Sequence, residues 1–424
     1  MQEAGGEVRG AGAVELLEAR ARRFEDAVSL GEPDRVPVLG LCTFFPAKYA
    51  GVSCYEYCYD YGKMVRAVLR TARGFPGFDV FTSIPAAEGF ILYLTLMRSA
   101  PEVAPALRFI TGPLHDVLGD EYTRWPGREL REDQPFQFLG GEFMKPEEYG
   151  RFTEDPVGFD AGVTLPRACR SLRRPGSPEA MGALVKAGVE AVKFVNAVME
   201  LTSKLMELGF PPLNMAWSYS PLDFIGDFHR HVTGALLDVH RRPEEVREAC
   251  EALVPLMVEA GRRSAVGAGR IYCFIPLHLN SYLSPKLYRE FYWEYLRRVI
   301  EGLVDAGLTP MVFYEGDHSP HLETLLELPE GKTMALFEVT GEKFRRIREL
   351  LRGHTCVAGG VPASLLISGT PDEVKRYVEK LLAEVKEGGG YVLTGSVSGI
   401  PDEARPENVR ALLKAVEEYG RYRR

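Results

Sequence analysis

The chain has 424 residues, of which 46% are hydrophobic and 26% charged, as in a globular protein with a large core. Its net charge of −8 argues against nucleic acid as the main partner, because duplex binding requires a basic face. No stretch approaches about 20 apolar residues, and the N-terminus lacks the apolar segment of a signal peptide. With seven sparse cysteines, these features predict a cytoplasmic protein without a membrane partner.

The first half of the chain predicts strands at residues 35–42 and 78–82, with a helix at 55–73 between them. From about residue 85 to about 174 the pattern loosens into clusters of Pro, Gly and acidic residues. We interpret residues 85–174 as an insertion between a strand and its helix. No linker divides the chain, so residues 1–424 are predicted to form a single domain.

The second half alternates strictly between strands and helices. Capping signals begin several helices, such as Ser284-Pro285 and the capping box from Thr370 to Glu373. Strands are predicted at 212–219, 270–275, 309–314, 333–338, 355–358 and 391–394. This alternation predicts an α/β fold with parallel strands covered by helices, in a closed barrel or a doubly wound sheet. A Gly-x-Gly-x-x-Gly fingerprint is missing, which disfavours a dinucleotide-binding fold.

Three parts of the chain resemble the uroporphyrinogen decarboxylase superfamily. Residues 22–27 with 34–38 match its opening helix and first strand. Residues 359–374 match a late Gly-Gly strand with its helix, and residues 389–393 with 399–409 match its final strand, loop and helix. The resemblance implies a (β/α)8 TIM barrel, with the active site at the C-terminal ends of the strands and residues 85–174 over the barrel mouth.

The superfamily contains decarboxylases of porphyrinogens and zinc-dependent methyltransferases that transfer a methyl group to or from a corrinoid. The decarboxylases carry Arg-Gln-Ala-Gly-Arg after the first strand, where residues 41–49 here read Leu-Cys-Thr-Phe-Phe-Pro-Ala-Lys-Tyr. Ser83 stands near the place of their essential aspartate. Since arginines clamp the substrate carboxylates, their loss disfavours porphyrinogen decarboxylation. Asp79 is therefore expected to be structural or to line the substrate pocket.

The chain also departs from the methyltransferase branch. The thiol methyltransferases of that branch place His-x-Cys after a mid-barrel strand and a second Cys in the closing loop. Here Tyr314, Gly316 and Ser398 fall near those positions. The thiolate zinc site of that branch therefore cannot form at these positions.

Harder ligands remain at the predicted strand ends. His278, Glu315, His318 and Glu338 follow consecutive strands and together offer a set for zinc or another divalent metal. Such a metal would act as a Lewis acid or activate a bound nucleophile. Alternatively, Glu315, Asp317 and Glu338 cap the helices that follow them, because acids favour helix N-termini.

Other residues are predicted to act in catalysis or to line a substrate pocket. Glu315, Asp317 and Asp223 are the candidate catalytic acids, although Asp223 and Asp227 also suit a helix N-terminus. Aromatic residues such as Phe44 and Phe45 either form a pocket wall or fill the core. The predicted substrate-binding residues are Phe44, Phe45, Asp79, Trp217, Tyr219, Tyr314 and Ser398.

The leading functional hypothesis is a methyltransferase that works with a separate corrinoid protein carrying cobalamin, on a small methylated substrate. A decarboxylase acting on a different carboxylic acid is the alternative, and a tetrapyrrole-binding protein without catalysis is a third reading. A homodimer is compatible with the sequence.

Overall fold

The computed structural model describes residues 11–395 and 399–422. Its main strands have apolar sequences and are almost entirely buried, as strands covered by helices should be. The eight strands are β1 (Leu39–Cys42), β2 (Val80–Ser83), β3 (Met215–Trp217), β4 (Tyr272–Leu277), β5 (Thr309–Tyr314), β6 (Met334–Thr340), β7 (Cys356–Val361) and β8 (Tyr391–Gly395). The predicted strands of both halves are confirmed within a few residues.

All pairings among these strands are parallel. Strands β3 to β8 form one sheet in sequence order, and β1 pairs with β2. The pair joins the sheet at β8, where Leu393 N–H donates to the carbonyl of Pro37 at 2.9 Å and Thr394 Oγ1 donates to the carbonyl of Leu39 at 2.9 Å. Within the described residues no strand pairing joins β2 to β3. The fold is therefore mixed α/β with its parallel strands in an unbroken series.

A compact apolar cluster lies on the inner side of the strands. It takes residues from near the amino ends of the strands, together with Phe24, Ala27 and Val28 of helix Ala11–Val28. The first helix therefore covers the amino-terminal end of this interior. The strand residues of the cluster are Leu39, Val80, Tyr272, Met311, Phe313, Met334, Leu336, Cys356, Ala358 and Val392, with Met215 and Phe274 packed against them.

The helices begin where the capping residues predict. Ser177, Ser284 and Thr370 each accept a backbone N–H in the first turn, and Thr370 forms the full capping box with Glu373. The longer helices are Ala11–Val28, Tyr61–Gly74, Phe90–Ser99, Pro178–Glu207, Pro221–Phe228, His231–Arg241, Pro243–Ser264, Glu294–Asp305, Gly341–Leu351, Pro371–Val385 and Pro406–Tyr419. Shorter ones are Phe45–Ala50, Cys54–Tyr59, Gly112–Leu118, Tyr149–Glu154, Pro156–Phe159, Leu165–Ala168, Pro285–Leu287 and Ala363–Ser368. Residues Asp160–Thr164 and Tyr288–Trp293 are π-helical, and Ala104–Leu107, Pro146–Glu148, Arg170–Leu172 and Ser319–Glu327 are 3₁₀-helical.

Apart from helix Phe90–Ser99, residues 85–174 hold only short elements. Two antiparallel pairs of two-residue strands occur there, Ala87–Glu88 with Phe109–Ile110 and Thr123–Arg124 with Gln137–Phe138. The segment is anchored to the helix after β3, since Gly141 N–H donates to the carbonyl of Asp227 at 2.9 Å.

That the whole chain is one domain stays a prediction. Among the described residues, no helix combines the length and the apolar content that crossing a membrane requires.

Candidate active site

Two carboxylates stand at the carboxyl ends of neighbouring strands, which form the mouth of the sheet. Side chains alternate between the two faces of a strand. Met311 and Phe313 belong to the inner cluster, so the same face of the chain next presents Glu315. Leu336 of β6 belongs to it as well, so Glu338 follows on the inner face. The strand period therefore brings Glu315 and Glu338 to the top of the interior.

His278 lies between two carboxylates at this mouth. Its Nδ1 is 2.6 Å from Asp227 Oδ2 and its Nε2 is 3.6 Å from Glu315 Oε1. Burial lowers the pKa of His278, but the charges of Asp227, Glu315 and Asp223 outweigh burial and raise it well above its usual value. The imidazolium form, which donates from both nitrogens, is thus favoured at neutral pH.

Asp223 and Asp227 come from helix Pro221–Phe228, four residues apart on one face. Asp223 is fully buried, accepts the Leu279 N–H at 2.8 Å and accepts a short hydrogen bond from the Tyr292 hydroxyl. Burial raises the pKa of Asp223 to about 7, although His278 opposes the shift. Asp223 lies in the first turn of its helix, but its hydrogen bonds reach outside that helix, so capping does not account for it.

Glu88 joins the group from the segment 85–174. Desolvation raises the pKa of this half-buried carboxyl to about 7, against the opposing charges of His278 and Arg108. Burial also lowers the pKa of Arg108 to about 10. The sequence carries no signal for either residue, because Glu88 lies on a two-residue strand and Arg108 directly precedes another, in an irregular stretch.

Glu315 is accessible from outside, with 36% of its side chain exposed. Desolvation raises its pKa to about 7; His278 opposes this shift, and Glu338, Asp223 and Asp227 add to it. An acid whose pKa lies near the working pH can both give and take a proton, which is the requirement for general acid–base catalysis.

Aromatic side chains form the wall beneath these charges. Trp217 follows Met215 on the inner face of β3, and its ring lies 4.8 Å from Phe109 and 4.9 Å from Phe274, between ring centroids. The Tyr219 ring lies 6.1 Å from the His278 ring. Tyr219 therefore lies beside the charged group, and the assignment of Trp217 and Tyr219 as substrate-binding residues stays a prediction.

Similarity to known proteins identifies the family of this chain and a solved structure with a similar fold. The family model of uroporphyrinogen decarboxylase (URO-D) matches residues 176–419. The chain belongs to this family. A solved methyltransferase from Methanosarcina mazei is similar in fold, with a TM-score of 0.59 and 16% identity over 94% of this chain and 98% of that one. No curated protein matches.

The methyltransferase branch of the family implies zinc, so the four predicted ligands were tested against the geometry. Within residues 11–395 and 399–422, no three His, Cys, Asp or Glu side chains are grouped to hold a metal ion. Glu338 Oε2 accepts the Gly316 N–H at 2.6 Å. His318 is buried, with its Nδ1 3.2 Å from Asn280 Nδ2, and burial lowers its pKa well below the usual value. His278, Glu315, Glu338 and His318 do not fit a metal site in this arrangement.

Asp317 lies apart from the mouth, contrary to the expectation that it is catalytic. It pairs with Lys343 at the surface and accepts the Ser319 N–H at 3.0 Å, at the start of the 3₁₀ helix Ser319–Glu327. These hydrogen bonds overcome partial burial and lower the pKa of Asp317 to about 2. The capping alternative therefore describes Asp317.

Four expected pocket residues lie in other environments. The side chains of Tyr314 and Glu315 lie on opposite faces of the strand. The Tyr314 ring stacks on Phe337 on the outer side of the sheet, at 4.9 Å between ring centroids. Phe44 and Phe45 are buried among other aromatic rings, which corrects the pocket-wall reading in favour of core packing. Asp79 precedes β2 and so lies at the amino ends of the strands, while Ser398 falls outside the described residues.

Proposed function

We propose that this protein is a methyltransferase of the URO-D family that transfers a methyl group between a small substrate and a corrinoid protein. The observation that carries the proposal is His278 held between Asp227 and Glu315, above an aromatic wall, with the pKa of Glu315 near 7. Family membership and the similar fold of a methyltransferase support it.

The proposal includes a closed (β/α)8 barrel. The inner cluster contains Val80 of β2, and Met215 of β3 packs against it, as an enclosed interior requires. Phe81 of β2 also lies 6.1 Å from Phe210, measured between ring centroids, just before β3.

Methyl transfer from an ether or a neutral amine leaves a basic atom that needs a proton. The bond from the methyl carbon to that atom breaks, its electron pair stays on the departing oxygen or nitrogen, and a proton from Glu315 neutralises it. The corrinoid, carried by its own protein, supplies the cobalt that exchanges the methyl group. His278 holds Glu315 in position, and Trp217 packs against the apolar part of the substrate.

The alternative of a decarboxylase is not favoured by this mouth. Its acids outnumber its cations, since His278 and the buried Arg108 face five carboxylates: Glu88, Asp223, Asp227, Glu315 and Glu338. A carboxylate substrate would be repelled, because like charges close together in a poorly solvated site are costly.

The proposal is tested with free cobalamin in its reduced form and a panel of methoxylated aromatics, methylamines and methyl thioethers, by following the cobalt absorption spectrum. We expect methylation with one class of donor. Glu315→Gln should reduce kcat about 100-fold because it removes the proton donor. Glu323→Gln, on the exposed side of the following 3₁₀ helix, is the matched control and should keep wild-type turnover. Absence of methyl transfer with every donor would refute the proposal.

A further inference from the structure

A cavity of about 290 Å³ opens between two of the helices that cover the strands. One is helix Gly341–Leu351, which follows β6, and the other is helix Pro371–Val385, which follows β7. The residues that line the cavity are all charged, and three of them are arginines. They are Arg345, Arg348, Glu349, Arg352 and Glu384.

Arg348 is a buried arginine in this lining, with 1% of its surface exposed. Its Nε donates to the carbonyl of Val385 at 2.9 Å, and its Nη2 donates to the carbonyls of Glu387 and Gly389. Its Nη1 is buried as well, and among the described residues it has no hydrogen-bond partner. A buried charge is normally paired, because removing an unpaired ion from water is costly. Arg348 therefore lacks an anion.

Arg352 brings a second cation to the same side of the helix. It is the C-cap residue, four positions after Arg348. In the described ranges 11–395 and 399–422, no acid forms an ion pair with Arg352. Burial and the charge of Arg352 both lower the pKa of Arg348. The two guanidinium groups repel each other, and an anion between them would remove that repulsion.

The other charges of the lining do not neutralise this pair. Arg345 donates to Glu384 and to Glu342, at 2.9 Å for the second bond, so these three charges satisfy one another. Of the acids in the lining, all of which the structure describes, only Glu349 has no ion pair, and its side chain is exposed at the margin. Two unpaired cations thus face one unpaired acid, in a chain whose net charge is −8.

Helix capping accounts for only part of this arrangement. The last turn of helix Gly341–Leu351 favours cations, and the bond from Arg348 to the Val385 carbonyl closes the end of helix Pro371–Val385. These roles use Nε and Nη2 of Arg348. They leave its Nη1 and the Arg352 guanidinium without a function.

We propose that this cavity binds a phosphate group, as inorganic phosphate or as the phosphate of a small ester, through Arg348 and Arg352. The planar fork of a guanidinium suits phosphate oxygens. A phosphate carries a charge of about −1.5 to −2 at neutral pH, which compensates both cations, whereas a carboxylate compensates one.

The place of the cavity separates it from the mouth. Arg348 contacts Gly389, which lies just before the first residue of β8, Tyr391, and so at the amino ends of the strands. Glu315 and His278 follow the carboxyl ends of their strands. The phosphate site therefore goes beyond the proposed methyl transfer and does not depend on it.

Isothermal titration calorimetry of the full chain with inorganic phosphate at neutral pH tests the site, with potassium chloride at equal ionic strength as the reference. We expect one phosphate to bind per chain. Arg352→Gln should weaken binding about 10- to 100-fold, because it removes a charge-assisted hydrogen bond. Arg346→Gln is the matched control, since Arg346 is an exposed arginine of the same helix outside this cavity, and it should bind like the wild type. No binding beyond that of chloride, or equal weakening in both variants, would overturn the proposal.

Glycerol phosphate, titrated in the same way, distinguishes the two sources of the phosphate group. Tighter binding of the ester than of inorganic phosphate would assign the site to a phosphorylated small molecule, and the reverse order would assign it to free phosphate. Either order supports a phosphate site.

Two further measurements keep the test independent of folding defects. Glu349→Gln should tighten phosphate binding, because it removes a negative charge from the lining. Phosphate should raise the melting temperature of the wild type and of Arg346→Gln more than that of Arg352→Gln, because a ligand that binds the folded state stabilises it. Weaker binding in Glu349→Gln, or equal thermal shifts in all three proteins, would place the anion elsewhere and refute the site.

Discussion

Buried carboxylates occur at both ends of the strands, but their surroundings differ. At the amino ends, Asp79 is fully buried and receives hydrogen bonds from Arg23, from Arg35 and from the Val38 N–H. At the mouth, carboxylates outnumber cations, and the pKa values of Glu88, Asp223 and Glu315 are each about 7. Cationic and N–H partners stabilise a buried carboxylate. A buried carboxyl group with too few of these partners has a raised pKa and binds a proton more readily. The first arrangement stabilises the fold, and the second is the one that the proposed proton transfer requires.

The largest expected effect follows from removing the charge of Asp79 at the amino ends of the strands. Asp79→Asn leaves the partly buried Arg35 without its carboxylate and leaves Arg23 with only the exposed Asp34, so the free energy of unfolding should fall by about 3–5 kcal/mol. Urea denaturation measures this free energy of unfolding. Asp34→Asn is the control, because Asp34 also pairs with Arg23 but is 57% exposed, and should cost less than about 1 kcal/mol. Equal losses in the two variants would contradict the difference drawn between the two ends.

At the mouth, Asp227→Asn should reduce activity more than stability. The variant removes the carboxylate nearest to His278, so the pKa of His278 should fall towards its usual value, as measured by NMR titration. A hydrogen bond to a charged group contributes about 1.5–3 kcal/mol, so kcat/KM should fall about 10- to 100-fold. An unchanged pKa of His278 would show that Asp227 does not control its protonation.

The mouth also predicts how stability depends on pH. Glu88, Asp223 and Glu315 have folded-state pKa values of about 7, above those of the unfolded chain, so the folded state binds more protons. Their stabilising contribution is complete below pH 4 and is lost as the pH rises through 7. The raised pKa of His278 acts in the same direction at higher pH.

The free energy of unfolding should therefore fall by at least about 2 kcal/mol between pH 5 and pH 8, the loss expected from one such buried carboxyl, and the partly exposed Glu315 contributes less. Urea denaturation across this range measures the slope. Glu88→Gln combined with Glu315→Gln should make the slope shallower, and Asp223 and His278 account for the slope that remains. A slope that is the same in this double variant would place the titrating groups elsewhere.

The smallest effect is expected at Asp317. Its pair with Lys343 is exposed, so Asp317→Asn should lower the free energy of unfolding by less than about 1 kcal/mol and leave turnover at the wild-type level. A loss of turnover comparable to that of Glu315→Gln would return Asp317 to the catalytic group, as its sequence position alone suggests.

Much of the architecture follows from local chemistry that the sequence displays. Short, continuous apolar runs mark the strands, and the Thr370–Glu373 box marks a helix start, because capping needs only neighbouring residues. Glu315 is predictable in the same way, since it directly follows a buried strand. His278 and Asp223 are also found from sequence, because each comes soon after a strand end.

The remaining features depend on contacts between distant residues. Glu315 and Asp317 are two residues apart, yet the turn at Gly316, with φ of +66°, separates a mouth acid from a surface ion pair. Glu88 reaches the site only because an irregular segment folds against the strands. The sequence determined the strand series and the supply of acids at its ends. Only the tertiary structure decided which acids are paired, because pairing depends on which cations the fold brings within reach of each carboxylate.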